Sequence, residues 1–409
     1  MKKTLVAIAA LAAFGAQAQS SATLYGTLDM GYGSFSSQMQ GEAGAIGAKF
    51  TQKGLMQNNF DSSRWGFTTT EDIGGGLKAG ATVESWIGGL PRANFGYGTN
   101  DKGLSTAAQT QSTFSNSGVG QTQDATKLGD RLLFVNVISG ANEVRLGTQS
   151  SFTRDIVVGF QADTSNNVGN LAANDGDLAA RYGQAAYLYT GKGYGFGAAL
   201  SNNVRTQSDV NQANTSKGFH LKATGENGPL AGGVAYSNVL SNTVTSTTSG
   251  NQGYTGAAAV ATAQLNSPAQ TGLAEATASP NTKVTAAAVS YDLGVVKLFG
   301  VYGKVAVTDV NKSASTSQLG TRTTENVGVR YPYGATGSFA FAQYSTGKIG
   351  YNTSGTTRDG DWTGYTVGVK NYISKRTYAY LNAGKTSYDY ADTKTLKASQ
   401  FGAGLVHNF

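Results

Sequence analysis

Cysteine is absent from the 409 residues, histidine occurs twice and proline five times. Without cysteine there is no disulfide framework, no thiolate metal site, no cysteine nucleophile and no lipoprotein anchor. Two histidines leave little for metal or triad chemistry, so an enzyme starts at a disadvantage. Charged residues make up only 13% of the chain. Beyond the N-terminal segment, no stretch reaches the roughly 18 apolar residues that a membrane helix needs. What is plentiful is glycine, with 56 residues, and tyrosine, with 21. So much glycine suggests a low-complexity tail, but scarce proline and aromatics at 10% argue against bulk disorder.

The N-terminus reads as a secretory signal. Lys2 and Lys3 precede an apolar stretch from Leu5 to Phe14, and Ala16-Gln17-Ala18 is the small-x-small cleavage pattern. Residues 1–18 are thus expected to be removed, leaving a mature 19–409 chain that begins near Gln19, outside the cytoplasm.

Past the signal the apolar residues alternate. Trp65 and Phe67 share one face of Arg64 to Thr70, with Arg64, Gly66 and Thr68 on the other. The same period runs through Leu24, Gly26, Leu28 and Met30, through Leu77, Ala79, Ala81 and Val83, and through Phe401, Ala403 and Leu405. Segmenting on alternation and turn residues predicts about sixteen antiparallel strands. Their connections differ in kind. Ile73-Gly74-Gly75-Gly76, Ser139-Gly140-Ala141-Asn142 and Glu226-Asn227-Gly228 are tight, whereas long segments join the opposite ends. Short turns on one side and long loops on the other are the signature of an all-β transmembrane barrel with its short side in the periplasm. A soluble sandwich also alternates. Against it stand the modest bulk of the apolar faces, the arginines on the opposite faces, and tyrosines placed for an interfacial girdle at Tyr331, Tyr372 and Tyr378.

Ser20 to Asp29, the Ser62 to Gly80 hairpin, Ser374-Lys375-Arg376-Thr377 and the terminal Val406-His407-Asn408-Phe409 occur in an order that resembles the Gram-negative general diffusion porins, particularly the β-proteobacterial type. The resemblance covers nearly the whole chain. It implies a homotrimer of 16-stranded barrels in the outer membrane, surrounded by lipid and lipopolysaccharide, through which small hydrophilic solutes diffuse. It also implies that Phe409 ends the signal read by the barrel-assembly machinery, and that no cofactor or metal is needed.

That family narrows each pore with an inward-folded third extracellular loop, here about residues 149–180. Arg154, Asp155, Asp163, Asp175 and Asp177 lie in it, and the four aspartates are the candidates to face a basic wall. Asn174-Asp175-Gly176-Asp177 is no EF-hand, because the twelfth position from Asp175 is Ala186 rather than Glu. The resemblance assigns the basic wall to Arg64, Arg131 and Arg181. Strand parity adds Arg145, between outward Val144 and Leu146, and sets Arg64 opposite outward Trp65. It sets Arg131 opposite Leu132 and Phe134, and Arg181 opposite Leu188, each taken as outward. Asp29, Glu84 and Glu143 are the inward acids of the same wall. The chain departs from the family at Gly147-Thr148-Gln149, where an arginine is usual, and in lacking a proline in this loop. Gly88 to Gly129 and Asn238 to Asn281 are long polar loops that cannot support a core.

Motifs suggesting catalysis fail. Gly384-Lys385-Thr386 lacks the phosphate-loop glycine, since position 379 is Ala379, and Ser345-Thr346-Gly347-Lys348 stands without the other penicillin-binding motifs. The formal charge of +7 is dispersed among strands, so it forms no nucleic-acid patch. The expected function is a passive channel with weak anion selectivity. The alternatives are a substrate-selective channel with a binding ladder, or an adhesin whose long loops do the work.

Overall fold

The computed structural model describes residues 20–40, 46–88, 128–170, 172, 178–207, 212–244, 277–278, 280–309, 319–334, 337–353, 356–390 and 395–409. The signal segment, Asp175, Asp177 and most of the two long polar loops lie outside them. The strands in chain order are β1 (Ser21–Gln40), β2 (Ile46–Gln57), β3 (Arg64–Gly74), β4 (Leu77–Trp86), β5 (Leu132–Ser139), β6 (Asn142–Ser150), β7 (Arg181–Thr190), β8 (Tyr194–Gln207) and β9 (Gln212–Asn227). They continue as β10 (Leu230–Val244), β11 (Thr277–Ala278), β12 (Pro280–Asp292), β13 (Lys297–Asp309), β14 (Leu319–Tyr333), β15 (Ser338–Thr353), β16 (Thr356–Tyr372), β17 (Thr377–Tyr390) and β18 (Thr395–Asn408). A helix, α1 (Phe152–Gly159), lies between β6 and β7.

Every neighbouring pair is antiparallel, and β1 pairs with β18 from Thr27↔Asn408 to Gln40↔Thr395, so the sheet closes on itself. Closure leaves no edge strand with unpaired backbone groups. The 18 segments make a 16-stranded barrel. β2 and β3 both pair with β1 and are two halves of one barrel strand, and β11 continues β12 along β10. Sixteen strands were legible in the alternation, but β2 was not. The run of Ile46–Gln57 carries Lys49, Gln52 and Lys53 where a recognisable strand would carry apolar residues.

Strands outgrow the sequence estimate. β1 has 20 residues, about 65 Å at roughly 3.3 Å per residue, so even strongly tilted it overshoots an apolar band of about 25 Å. Asn238–Val244 and Asn281, expected in a loop, belong to β10 and β12. The short turns are as expected, and Gly75 (φ 64°) and Gly140 (φ 56°) take the left-handed backbone that tight turns demand.

The outer face is apolar and open. Leu133, Val135, Leu146, Leu200 and Leu221 are half or more exposed, an arrangement that water penalises and hydrocarbon does not. Tyr331 is on this face, as a girdle residue should be. Tyr372 and Tyr378 are not, which corrects the sequence reading. Tyr378 is buried against Phe60, Phe341 and Tyr380, with Tyr372 packed beside them, because their strand positions share the inner face with Asn382 while Ala379 and Leu381 point to lipid.

Candidate pore constriction

Residues 58–63 break one barrel strand into β2 and β3 and fold inward. Asn58 has φ 61°, and the turn hangs on Asp29, which accepts the backbone N–H of Phe60 at 2.7 Å and of Asp61 at 2.8 Å and the Tyr380 hydroxyl at 2.7 Å. Asp29 is an inward acid as expected, but it is fully buried and spent on this turn.

The loop between β6 and β7 crosses the lumen. Ser151 caps α1 by accepting the Arg154 N–H at 3.1 Å. Phe152, Ile156 and Val157 form its buried stripe, against Leu178 and an apolar inner wall of Ala186, Leu188, Ala235, Val284, Ala286, Val301 and Val305. Beyond the helix, the Arg330 guanidinium donates to the carbonyls of Gln161 (3.1 Å) and Ala162 (2.9 Å), the Gln343 Oε1 accepts the N–H of Asp163 (3.1 Å), and the Gln400 Oε1 accepts that of Val168 (3.1 Å). Asn166 N–H donates to the Phe60 carbonyl at 3.1 Å, so the loop also rests on the inward turn. Wall glycines give it room: a Cβ at Gly384 would collide with Asn167, and one at Gly328 would lie 2.6 Å from the Ala162 Cβ.

The apolar patch under α1 corrects two parity assignments. Leu188 faces inward, beneath the helix, and the outward residues of β7 are Ala185 and Tyr187. On β5 the exposed residues are Leu133, Val135 and Val137, so Leu132 and Phe134 face inward. Alternation therefore says nothing in favour of Arg131 or Arg181. Arg131 precedes β5 and Arg181 is the first residue of β7, and contacts rather than the pleat decide where they point.

Those contacts converge on Glu84 and Trp86. The Glu84 carboxylate accepts the Arg131 Nε and the Tyr25 hydroxyl (3.1 Å), and Arg64 Nε lies 3.8 Å away. Arg64 also binds Asp61 at 2.9 Å and the Ser62 carbonyl at 2.7 Å. Arg131, only 6% exposed, lays its guanidinium 3.8 Å from the Trp86 ring centroid, and Arg181 lies 5.8 Å from the same ring. Arg154, from α1, donates to the Ala179 carbonyl at 3.2 Å. Burial first, and the positive Arg131 second, pull the Arg154 guanidinium down to about 10, still far enough above neutrality to keep its charge. Burial likewise lowers Arg131 while Glu84 opposes the shift. Asp130, next to Arg131, accepts the Trp86 backbone N–H at 3.0 Å and lies within electrostatic reach of Arg131 and Arg181, so four guanidiniums meet three carboxylates.

Arg145 sits apart, lower on the wall, bound to Glu143 of its own strand at 2.8 Å and over the Phe134 ring at 5.2 Å. Asp155 pairs with Lys222 at 2.8 Å. Asp163 is buried in its own turn, accepting the N–H and hydroxyl of Ser165 at 2.8 and 2.9 Å, and burial raises its carboxyl above the usual range. Sequence reading missed Asp61, Trp86 and Arg154 as parts of this cluster. Asp61 stands just before the Ser62-Ser63-Arg64 motif, but nothing in the sequence says that the strand is broken there.

Phe409 closes the barrel. Its N–H and carbonyl exchange hydrogen bonds with Gly26 at 3.1 and 3.0 Å, and its ring lies against the Gly26 Cα, where any Cβ would strike it. His407 hydrogen-bonds Thr377 at 2.9 Å on the outside, and His220 is enclosed by Ser237 (2.9 Å) and Ser201 (3.2 Å).

Comparison with known proteins adds three findings. The family model for Gram-negative porins matches residues 4–393. Outer membrane porin protein 32 of Delftia acidovorans is 42% identical over 90 residues, covering 22% of this chain and 23% of that protein. A porin of Bordetella pertussis is 42% identical over 93 residues, covering 21% and 24%. The aligned segment thus spans under a quarter of either relative. Among solved structures, the anion-selective porin from Comamonas acidovorans superposes with a TM-score of 0.60 at 18% identity, covering 96% of this chain and 100% of the other. The trimer form of OmpT from Vibrio cholerae gives 0.57 at 14% identity, covering 95% and 99%. At such identities the likeness is one of fold.

Proposed function

We propose that this chain, which belongs to the Gram-negative porin family, is an outer-membrane pore for passive diffusion of ions and small hydrophilic solutes, weakly selective for anions. The observation that carries the selectivity is the excess of Arg64, Arg131, Arg154 and Arg181 over Asp61, Glu84 and Asp130 at the level of the inward loop. Fixed guanidiniums lower the energy of a passing anion and raise that of a cation without stripping either of water. The two described loop acids named as candidates are engaged elsewhere, so the field here is closer to a positive well than to one running from wall to loop. The anion-selective relative supports the same sign.

The reading includes export by residues 1–18, their removal, and assembly through a C-terminal signal ending in Phe409. It includes a homotrimer embedded in lipid and lipopolysaccharide. Ala79, Ala81 and Ala379 stand on the outer face beside Val137 and Leu405, and such small residues let neighbouring barrels approach closely. A light-scattering mass of one chain in several mild detergents would contradict the trimer. No step of this function is catalytic. A substrate-selective channel is the second reading, favoured by the Arg131 Nη1 and Arg181 Nε atoms, which are buried without a hydrogen-bond acceptor. Single-channel conductance in planar bilayers separates the two. A conductance that rises steadily with salt supports the general pore, saturation by one solute supports the selective one, and no conductance contradicts both.

A further inference from the structure

At the short-turn end of β13–β16, adjoining the inward loop and turn but outside the arginine cluster, the inner wall alternates cations with aromatic rings. Arg330 lies 4.3 Å from the Phe339 ring centroid and 5.0 Å from that of Phe299, whose other neighbour is Lys297 at 5.6 Å. Lys370 lies 3.8 Å from Tyr378, 5.0 Å from Tyr372 and 6.0 Å from Phe339. These residues face the lumen, because the exposed neighbours Leu298, Tyr331, Val367 and Leu381 take the outer face. Tyr378 is buried, whereas Phe339, Tyr372, Lys297 and Lys370 keep part of their surface open.

Two facts go beyond wall packing. Among the described residues, neither the Lys297 nor the Lys370 ammonium has a carboxylate within ion-pair distance. Arg330 is held rigid by two loop carbonyls, which presets its plane over Phe339. Half-open rings flanked by unpaired cations offer a face for a flat apolar ring and a charge for a carboxylate at its edge. A small inorganic anion uses only the second feature, and a neutral sugar only the first.

We propose that this wall is a binding track for planar aromatic carboxylates of the benzoate class. The proposal rests on the channel reading and deepens it by naming a preferred solute class and a place distinct from the arginine constriction. Two acids adjoin the track: Asp292, across the strand pair from Lys297, accepts the Gly294 N–H at 2.8 Å, and Asp61, which accepts the Tyr378 hydroxyl at 3.4 Å, is paired with Arg64 at 2.9 Å.

The test measures KCl current through the purified full-length protein in planar bilayers as benzoate or cyclohexanecarboxylate is added. The two carry the same charge at similar size, and only one has a π face. Benzoate is expected to reduce the current at a concentration roughly two- to tenfold lower, the worth of one aromatic contact. Phe339→Leu is expected to erase the difference, Lys370→Gln to weaken both acids, and Lys370→Arg to restore them, with heat-modifiable migration unchanged in all three. Equal potency of the two acids, or a benzoate preference that survives Lys370→Gln and Phe339→Leu but is lost in Arg131→Ala, would overturn the track while leaving the channel standing. A protein that conducts no KCl would instead overturn the channel, and this proposal with it.

Discussion

Replacing Glu84 by glutamine removes one of the three carboxylates, with Asp61 and Asp130, that offset the guanidinium cluster. The amide keeps an oxygen to accept the Arg131 Nε, so Arg131, which is 6% exposed, is not left without a partner. The change is then mainly one of charge. For an ion passing about 5 Å away, one elementary charge in water is worth ~0.8 kcal/mol. Screening at 0.1 M salt, where the Debye length is about 10 Å, reduces this to ~0.5 kcal/mol. An anion gains that amount and a cation loses it, so the anion-to-cation permeability ratio should rise about fivefold. At 1 M salt the Debye length is about 3 Å and the same change shrinks below about twofold. The assay is the zero-current potential across a KCl gradient at both salt levels, for wild type and Glu84→Gln. An unchanged potential at low salt would refute the placement of Glu84 beside the ion path. A change that persists undiminished at high salt would refute the electrostatic argument.

Removing a guanidinium should act in the opposite sense. Arg64→Ala and Arg131→Ala are each expected to lower the permeability ratio several-fold at 0.1 M salt by the same arithmetic, and more than loss of any lysine in an external loop, as read from reversal potentials. Gly384→Val places a side chain where Asn167 now sits, so the loop must shift. Single-channel conductance should change while the barrel still shows heat-modifiable migration, and an unaltered conductance would contradict the loop's seat. Deleting Phe409 removes two barrel-closing backbone hydrogen bonds with Gly26; the amount of heat-modifiable barrel recovered from cells should fall, and an undiminished yield would contradict its role.

Alternation made the strand count legible because each barrel strand has one face in lipid, and lipid selects apolar residues at every second position. The inner face has no such rule. Where α1 lies on the wall, the wall is apolar, and Leu188 reads from the sequence as if it faced lipid. Where residues 58–63 fold inward, Tyr378 and Tyr380 gain an aromatic neighbour in Phe60, at 5.9 and 5.0 Å between ring centroids, and a tyrosine near a strand end imitates a girdle residue. Both errors come from long-range contacts within the lumen, which no local period encodes. Arg64, Arg131 and Arg181 were reached through the family resemblance, Arg64 by its Ser62-Ser63-Arg64 motif, and Arg145 by parity. Parity supports Arg145, inside β6, and Arg64, which opens β3; it fails for Arg131, which precedes β5, and for Arg181, which opens β7. Arg154 was read as part of the loop but not assigned to the basic cluster, because the loop was searched for acids. Its position follows from the Ser151 cap, which starts α1 and sets which residues face the wall.

The central claim, a water-filled pore whose fixed charge at the constriction is net positive, is tested most directly by the zero-current potential of the wild-type protein in planar bilayers under a tenfold KCl gradient. The account predicts an anion-selective sign that weakens as the mean salt concentration rises. A cation-selective sign, or an anion preference that does not respond to salt, would contradict it.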